Sequence, residues 1–515
     1  MYYTEPRAKT QPYFTKSGGG FLAVSSVPGA ALERLGAIVW GPPMLGVFLA
    51  AGAWLTLRTK GFQLRRLPFW MRNTFGTLLR KQENAGVNSI TQRQAMAAAL
   101  AACLGTGNIV GVASALRLGG PGALFWMWLS AALGMMTCCA ENVLGAKYRW
   151  RLPGGGWMGG PMAYLSKGLG SKALAGAYAA LLALAACGMG NMTQANAIAE
   201  AARQSLRLPP LAVGLILAAL LALVIFGGVG RIARVTERLV PVMTGAFLLA
   251  CLAILFLRRS ALPGVFVSIF KEAFLSPAAA AGGTFYGFRK AMRYGIARGV
   301  FSNEAGLGSS AVIHAAAEGE PAQQGLWGIA EVFVDTILMC GVTGLALLCS
   351  GAWQAGRAGQ GGGAGVAAVG GAFAAVFGPW GERFVSLSVA LFAFATLTGW
   401  SYYGEQGSRY LLGEKSVKPY RFVYLGAAVL GSALRLETVW NAADILNGLM
   451  ALPNLLGVAA LSGQAARELG RYERRAGAKI SRGWVDFGKN ETSPLTIHYG
   501  RCNNEIVWGG SHRRR

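Results

Sequence analysis

Two short stretches place polar and flexible residues inside otherwise apolar sequence. The first is Gly105-Thr106-Gly107-Asn108; the second is Ser302-Asn303-Glu304, followed by Gly306 and Gly308. Glycine weakens a helix, and a polar side chain within hydrocarbon is expensive. A helix broken at such a point exposes backbone N–H groups where it restarts and carbonyl groups where it stops. The first end suits a carboxylate and the second a small cation. Unpaired backbone groups are so costly in lipid that a break is expected only where it lines a cavity or grips a ligand. For the first stretch alone, small residues that merely let helices pack closely are an equal reading. The second break, five apolar runs later, favours binding, because paired interruptions in two halves of a chain mark the site of inverted-repeat carriers.

Other polar residues fall in apolar runs. Asn191, Gln194 and Asn196 lie at i, i+3 and i+5, so the first two are expected to share a helix face, holding either a ligand or each other. Thr396 and Trp400 stand one turn apart, a hydroxyl beside an aromatic lid. Glu304 reads as a fixed charge tying broken backbone together, whereas Glu141, Asp335 and Glu405 read as caps or partners of loop bases near span ends. His314 has no carboxylate at catalytic spacing, and seven of the eight cysteines sit in apolar runs without metal spacing. Enzymatic chemistry, a zinc site, disulfides and a bound cofactor are therefore not expected.

The elements that must position these residues are membrane helices. Of 515 residues, 53% are hydrophobic and only 14% charged, too apolar for a soluble chain of this length. Runs long enough to span a bilayer fall near 36–57, 93–118, 121–147, 174–203, 210–227 and 238–257, then near 291–316, 327–351, 383–411, 419–435 and 440–462. That predicts an all-α polytopic membrane protein of about eleven spans, with 93–257 and 291–462 as two five-helix repeats and a transmembrane domain over 35–463. The net charge of +26 sits mainly in loops, so lipid headgroups rather than nucleic acid are the expected partner.

Arg58, Lys60, Arg65, Arg66 and Arg72 open the most basic loop, 58–93, which the positive-inside rule places in the cytoplasm. Alternation then puts loops 147–172, 228–238 and 409–421 inside with it, the N-terminus outside and the C-terminus inside. Loop 317–326 dissents, since it carries Glu318 and Glu320 and no base. Residues 1–34 read as a flexible polar arm and 464–515 as a solvated basic cytoplasmic tail. The Gly/Ala tract 356–375 reads as an external loop leading into a hairpin or re-entrant piece. The first residues show no cleavable signal.

With those residues located, the chain resembles the sodium:alanine symporter family. The likeness rests on "GTGNIVGVASALRLGGPGALFWMW" (105–128), "GGPMAYLSKGLG" (159–170), "GNMTQANAIAEA" (190–201) and "RIARVTERLVPVM" (231–243). It continues in "ARGVFSNEAGLGSSAVIHAAA" (297–317), "VFVDTILMCGVTGL" (332–345), "GWSYYGEQ" (399–406) and "NGLMALPNLLGVAALSG" (447–463). The resemblance implies eleven helices, ten of them in the inverted repeat shared with leucine-type sodium symporters, and cotransport of a small neutral amino acid with Na+ across the cell membrane. By that likeness the N–H groups of Thr106 and Gly107 take the substrate carboxylate with Asn108 beside it. Phe301, Ser302, Trp400 and the face bearing Asn191 and Gln194 surround the rest of the substrate. Carbonyls near Ala101 and Leu104 with the Thr396 hydroxyl hold Na+, and Gly105, Asn303, Glu304 and Gly306 shape the breaks. Cys103 and Leu104 depart from the small residues more familiar there. Alanine, glycine, serine and glutamine remain open as substrates, as do proton coupling and a non-pumping receptor or channel.

Overall fold

The structure, a computed structural model, describes residues 35–36, 38–78, 89–274, 284–351, 365–434 and 436–487. Residues 1–34, the first part of the 356–375 tract (356–364) and the chain beyond 487 lie outside the described residues. The architecture is helical, with a single antiparallel pair of two-residue strands among the described residues, β1 (Trp150–Arg151) and β2 (Trp157–Met158).

The helices in chain order are α1 (Pro42–Arg58), α2 (Gln92–Cys103), α3 (Val110–Gly119), α4 (Gly122–Lys147), α5 (Lys172–Leu206), α6 (Pro210–Ile225) and α7 (Gly228–Leu257). They continue with α8 (Leu262–Phe274), α9 (Thr284–Asn303), α10 (Ser310–Ala315), α11 (Pro321–Cys349), α12 (Val366–Phe377), α13 (Pro379–Leu412), α14 (Val417–Ala433) and α15 (Leu436–Phe487). Six stretches are long and apolar enough to cross a membrane: α4, α5, α7, α11, α13 and residues Ala443–Ala476 of α15. Lipid-facing character shows on α6 and α7, where Leu215, Leu220, Leu223, Val242, Leu249 and Phe256 are exposed. The protein is thus an all-α polytopic membrane protein.

Local sequence explains the ends. Thr91 and Gln94 form a reciprocal capping box at the start of α2, with Thr91 Oγ1 accepting from the Gln94 N–H (3.2 Å) and Gln94 Oε1 accepting from the Thr91 N–H (3.1 Å). Ser171 caps α5 by accepting from the Leu174 N–H. Close packing of α4 against α9, α10 and α11 depends on glycine: a Cβ on Gly295 would overlap the Ala123 carbonyl, and one on Gly328 would lie 2.9 Å from the Cys138 carbonyl.

Three features differ from the sequence reading. Helix α8 was not expected, because thirteen residues are too few to span; its exposed Phe266, Val267, Phe270 and Phe274 and the preceding Arg258 and Arg259 give it an interfacial composition. Residues 366–375, expected as loop and hairpin, belong to the helix α12, whose Val369 and Phe373 are buried beside Phe247. Helix α15 runs past Gly463 to Phe487, so the polar segment expected as a solvated tail begins as helix. By internal contacts the chain divides into two compact units, Met1–Leu469 and Gly470–Arg515.

The acidic loop 317–326 also finds its explanation. Arg149 donates to the carbonyls of Ala315 (2.9 Å) and Ala317 (2.5 Å), and Arg151 pairs with Glu318 at 3.6 Å. Loops 147–172 and 317–326 therefore share one face, and the acid of one is matched by a base of the other. Burial lowers the Arg149 pKa from its ordinary value; the Glu318 charge opposes the shift, and Arg151 adds to it. On the same principle Glu237, on α7 where the sequence predicted the 228–238 loop, pairs with Arg93 and accepts from Gln94 at 3.1 Å.

Candidate functional site

Both expected interruptions are present. Helix α2 stops at Cys103; Leu104 and Gly105 leave helical geometry, Thr106–Asn108 form a single 3-10 turn, and α3 resumes at Val110. Helix α9 stops at Asn303, and α10 begins at Ser310. Between them Glu304 takes the left-handed conformation (φ 57°), a strained choice for a residue with a Cβ, and Gly306 (φ 95°) and Gly308 (φ 75°) take it freely.

Around the first break, Gln194 Oε1 accepts the Thr106 N–H at 3.2 Å, and Thr396 Oγ1 donates to the Ala101 carbonyl at 2.9 Å. Gly105 lies so close to both that an added Cβ would stand 2.5 Å from Thr396 Oγ1 and 3.1 Å from Gln194 Oε1. A Cβ on Gly107 would touch Ser302 at 3.4 Å, so the two breaks meet side to side. Leu104 uses its own N–H on the Leu100 carbonyl (2.7 Å).

Asp335 joins the breaks. Its Oδ1 accepts from Asn108 Nδ2 (2.7 Å) and from Ser302 Oγ (3.1 Å), while Oδ2 accepts from Thr336 Oγ1 (2.6 Å). Asn303 Nδ2 donates to Thr336 Oγ1 at 3.0 Å, and Asn303 Oδ1 accepts the Ala305 N–H at 3.0 Å. Asp335 is wholly buried in a π-helical stretch, Phe333–Cys340, in the middle of α11. The expectation of a cap or loop partner at a span end is corrected: the π turn aims this carboxylate at the breaks.

Glu304, expected as a fixed charge at the break, has a carboxylate that accepts from Ser309 Oγ across the break and, at 2.8 Å, from Trp400 Nε1 on α13, while Asn303 Oδ1 accepts a backbone N–H of the break. Trp400 is fully buried, lies edge to face with Tyr403, and packs on Gly190, where a Cβ would overlap its ring. Phe301 is buried with the Arg298 guanidinium over its ring.

Asn191 does not share the Gln194 face. A π turn at Gly188–Met192 shifts the register of α5, so Asn191 Nδ2 donates to the Tyr424 carbonyl (2.6 Å) and Asn196 Nδ2 to the Gly431 carbonyl (2.9 Å), both on α14. Gln194 alone reaches the first break.

Sequence reasoning missed a further buried set. Glu141, expected near a span end as a cap, instead accepts from Asn454 Nδ2, which also donates to the Gly306 carbonyl (2.8 Å); Tyr164 donates to Asn454 Oδ1. His314 and Glu331 lie 3.6 Å apart, both without exposed surface. These partners are separated by up to hundreds of positions, so no local signal could have paired them. Glu405, by contrast, pairs with Arg409 (3.0 Å) and Arg421 (2.7 Å), as expected of a partner of loop bases.

Two helices broken within the protein, laid side to side and lined by buried polar groups, define the class of membrane carriers. The chain belongs to the sodium:alanine symporter family, whose sequence profile matches residues 26–483. It is 41% identical over 442 residues to the Sodium/alanine symporter AgcS of Methanococcus maripaludis, covering 85% of this chain and 95% of that one. It is 40% identical over 447 residues to an uncharacterized transporter of Haemophilus influenzae (86% and 96% covered). The "Probable sodium/glutamine symporter GlnT" of Bacillus subtilis is 33% identical over 440 residues (85% and 89% covered).

Proposed function

We propose that the chain imports a small neutral amino acid, alanine or glycine, together with Na+ by alternating access. Membership of the family supports sodium-linked symport, and the 41%-identical relative named for alanine favours the substrate. The observation that carries the reading is the Thr106 N–H held by the Gln194 amide oxygen beside Gly107, against Thr396 on the Ala101 carbonyl. An amide oxygen on a helix-start N–H occupies the position a carboxylate oxygen would take, so substrate arrival exchanges one acceptor for a charged one.

In this reading Thr106 and Gly107 donate to the carboxylate, with Asn108 and Ser302 beside it. Trp400, Phe301 and Gln194 limit the side-chain space, and Asn191 supports that wall through α14. Na+ takes the carbonyl oxygens of Ala101 and Leu104 and the Thr396 hydroxyl, hard ligands suited to it. The ion orders the stopped end of α2, the amino acid orders the restart, and each therefore tightens the other's binding. One charge moved inward across a potential of about 100 mV gains about 2.3 kcal/mol, enough for roughly fifty-fold accumulation. The same reading makes eleven spans, with residues 93–257 and 291–462 as inverted repeats, the basic loops and C-terminus cytoplasmic, and no cofactor beyond Na+.

Uptake of labelled alanine into proteoliposomes, with and without an inward Na+ gradient, tests it. Concentrative uptake only with the gradient is expected; uptake indifferent to Na+ refutes sodium coupling, and binding without accumulation refutes pumping. Competition by glycine, serine and glutamine reads the substrate preference.

A further inference from the structure

His314, on the far half of the second broken helix, and Glu331, on α11, face each other in a setting that fixes where hydrogens stand. Gln324 Nε2 donates to the Glu318 carbonyl (3.3 Å), which turns Gln324 Oε1 toward His314 Nδ1 at 2.9 Å. An amide oxygen only accepts, so Nδ1 carries a hydrogen and a neutral imidazole has its bare lone pair at Nε2. Among the described residues that Nε2 has no hydrogen-bond partner, and it lies 3.6 Å from Glu331 Oε2, itself an acceptor; Glu331 Oε1 likewise has no partner among them. His314, Gln324 and Glu331 are all wholly buried. Lone pair against carboxylate repels, and burial leaves no water to soften it. One proton, on either atom, turns the contact into an acid–base pair.

We propose that His314 and Glu331 form a binding site for a single proton, and that its occupancy holds α10 against α11 in the arrangement that binds amino acid and Na+. Ser310, at the start of α10, donates to the same Glu331 oxygen and is held by Asn142 Nδ2 at 3.3 Å, so the site fastens both ends of this short half-helix. Loss of the proton removes the attraction at His314 and loosens α10 from α11. The titratable groups facing Glu331 from the surrounding elements are Cys138 and Glu141 on α4, Cys103 on α2, Glu304 in the break, Asp335 on α11 and Tyr403 on α13. All are acids, so none supplies the positive charge that would replace the proton.

This inference rests on the symport reading and adds a second, separate ligand to it. The test is Na+-driven alanine uptake in proteoliposomes from about pH 5.5 to about pH 9, a range spanning neutrality. Wild-type uptake is expected to fall as pH rises, approaching tenfold per pH unit once the site empties, as one proton requires. Glu331→Gln keeps an N–H where the acid proton stood and is expected to flatten that fall. His314→Gln replaces the lone pair by an amide N–H that satisfies the deprotonated Glu331 carboxylate, and is expected to flatten the fall or move it to lower pH; it serves where Glu331→Gln does not reach the membrane folded. A wild-type profile flat across the range, or variants that keep the wild-type profile, overturns the proton site while leaving symport intact. Absence of Na+-driven uptake in the wild type at every pH refutes the symport reading instead, and this one with it.

Discussion

Replacing Thr396 by valine isolates a single oxygen atom of the proposed sodium site. Valine keeps the β-branched shape beside Gly105, with a methyl in place of the hydroxyl at a close contact, so thermal unfolding is read beside uptake to separate packing from ligation. What goes is the hydroxyl that donates to the Ala101 carbonyl at 2.9 Å. With no ion bound, the lost hydrogen bond and the bare carbonyl destabilise the fold by about 1–3 kcal/mol. With the ion bound, one oxygen fewer faces a full charge, a contact worth about 1.5–3 kcal/mol, so the Na+ concentration for half-maximal uptake rises about ten- to hundredfold. Thr396→Ser restores the oxygen and is expected to restore the wild-type Na+ dependence. The assay is alanine uptake titrated with Na+ at constant ionic strength, beside thermal unfolding in detergent. A Thr396→Val protein with wild-type Na+ dependence, or a Thr396→Ser protein as impaired as the valine, refutes the placement of Na+ at this hydroxyl.

Asp335→Asn places an amide where three donors, from Asn108, Ser302 and Thr336, now point, so at least one is left facing N–H; a loss of about 2–3 kcal/mol in stability is expected on thermal unfolding, with uptake reduced more strongly than expression. Trp400→Phe keeps the ring on Gly190 but strips Glu304 of a donor, and is expected to lower stability by about 1.5–3 kcal/mol. Gly190→Ala forces a methyl into the Trp400 ring; alanine affinity by isothermal titration should fall, and the wild-type affinity would show that the wall is not rigid. Asn454→Leu fills the volume but leaves Glu141 and the Gly306 carbonyl without their donor, so the second break should loosen, read as faster hydrogen exchange at Gly306–Ser310.

How much was legible depends on how local the cause is. Glycine and polar residues amid leucine and alanine announce a helix break by themselves, so Gly105–Asn108 and Ser302–Gly308 could be read as interruptions from the chain alone. The basic loops and the long apolar runs were legible for the same reason. Helix α8 was too short to register as a span, and the π turns in α5 and α11 have no pattern of their own; each adds a residue to a turn and so re-aims Asn191 and Asp335.

The sequence by itself determined that the chain lives in a membrane and where two of its helices fail, because the solvent and the backbone impose those outcomes residue by residue. Only the tertiary structure decided which acids sit at the breaks and what each one holds. Asp335 with Asn108 and Glu304 with Trp400 are pairings set by helix packing across distant parts of the chain, and Glu331 meets His314 through the packing of the consecutive helices α10 and α11. In a buried, water-poor interior, a carboxylate settles wherever packing brings it donors or a proton, and periodicity along one strand of sequence carries no record of that choice.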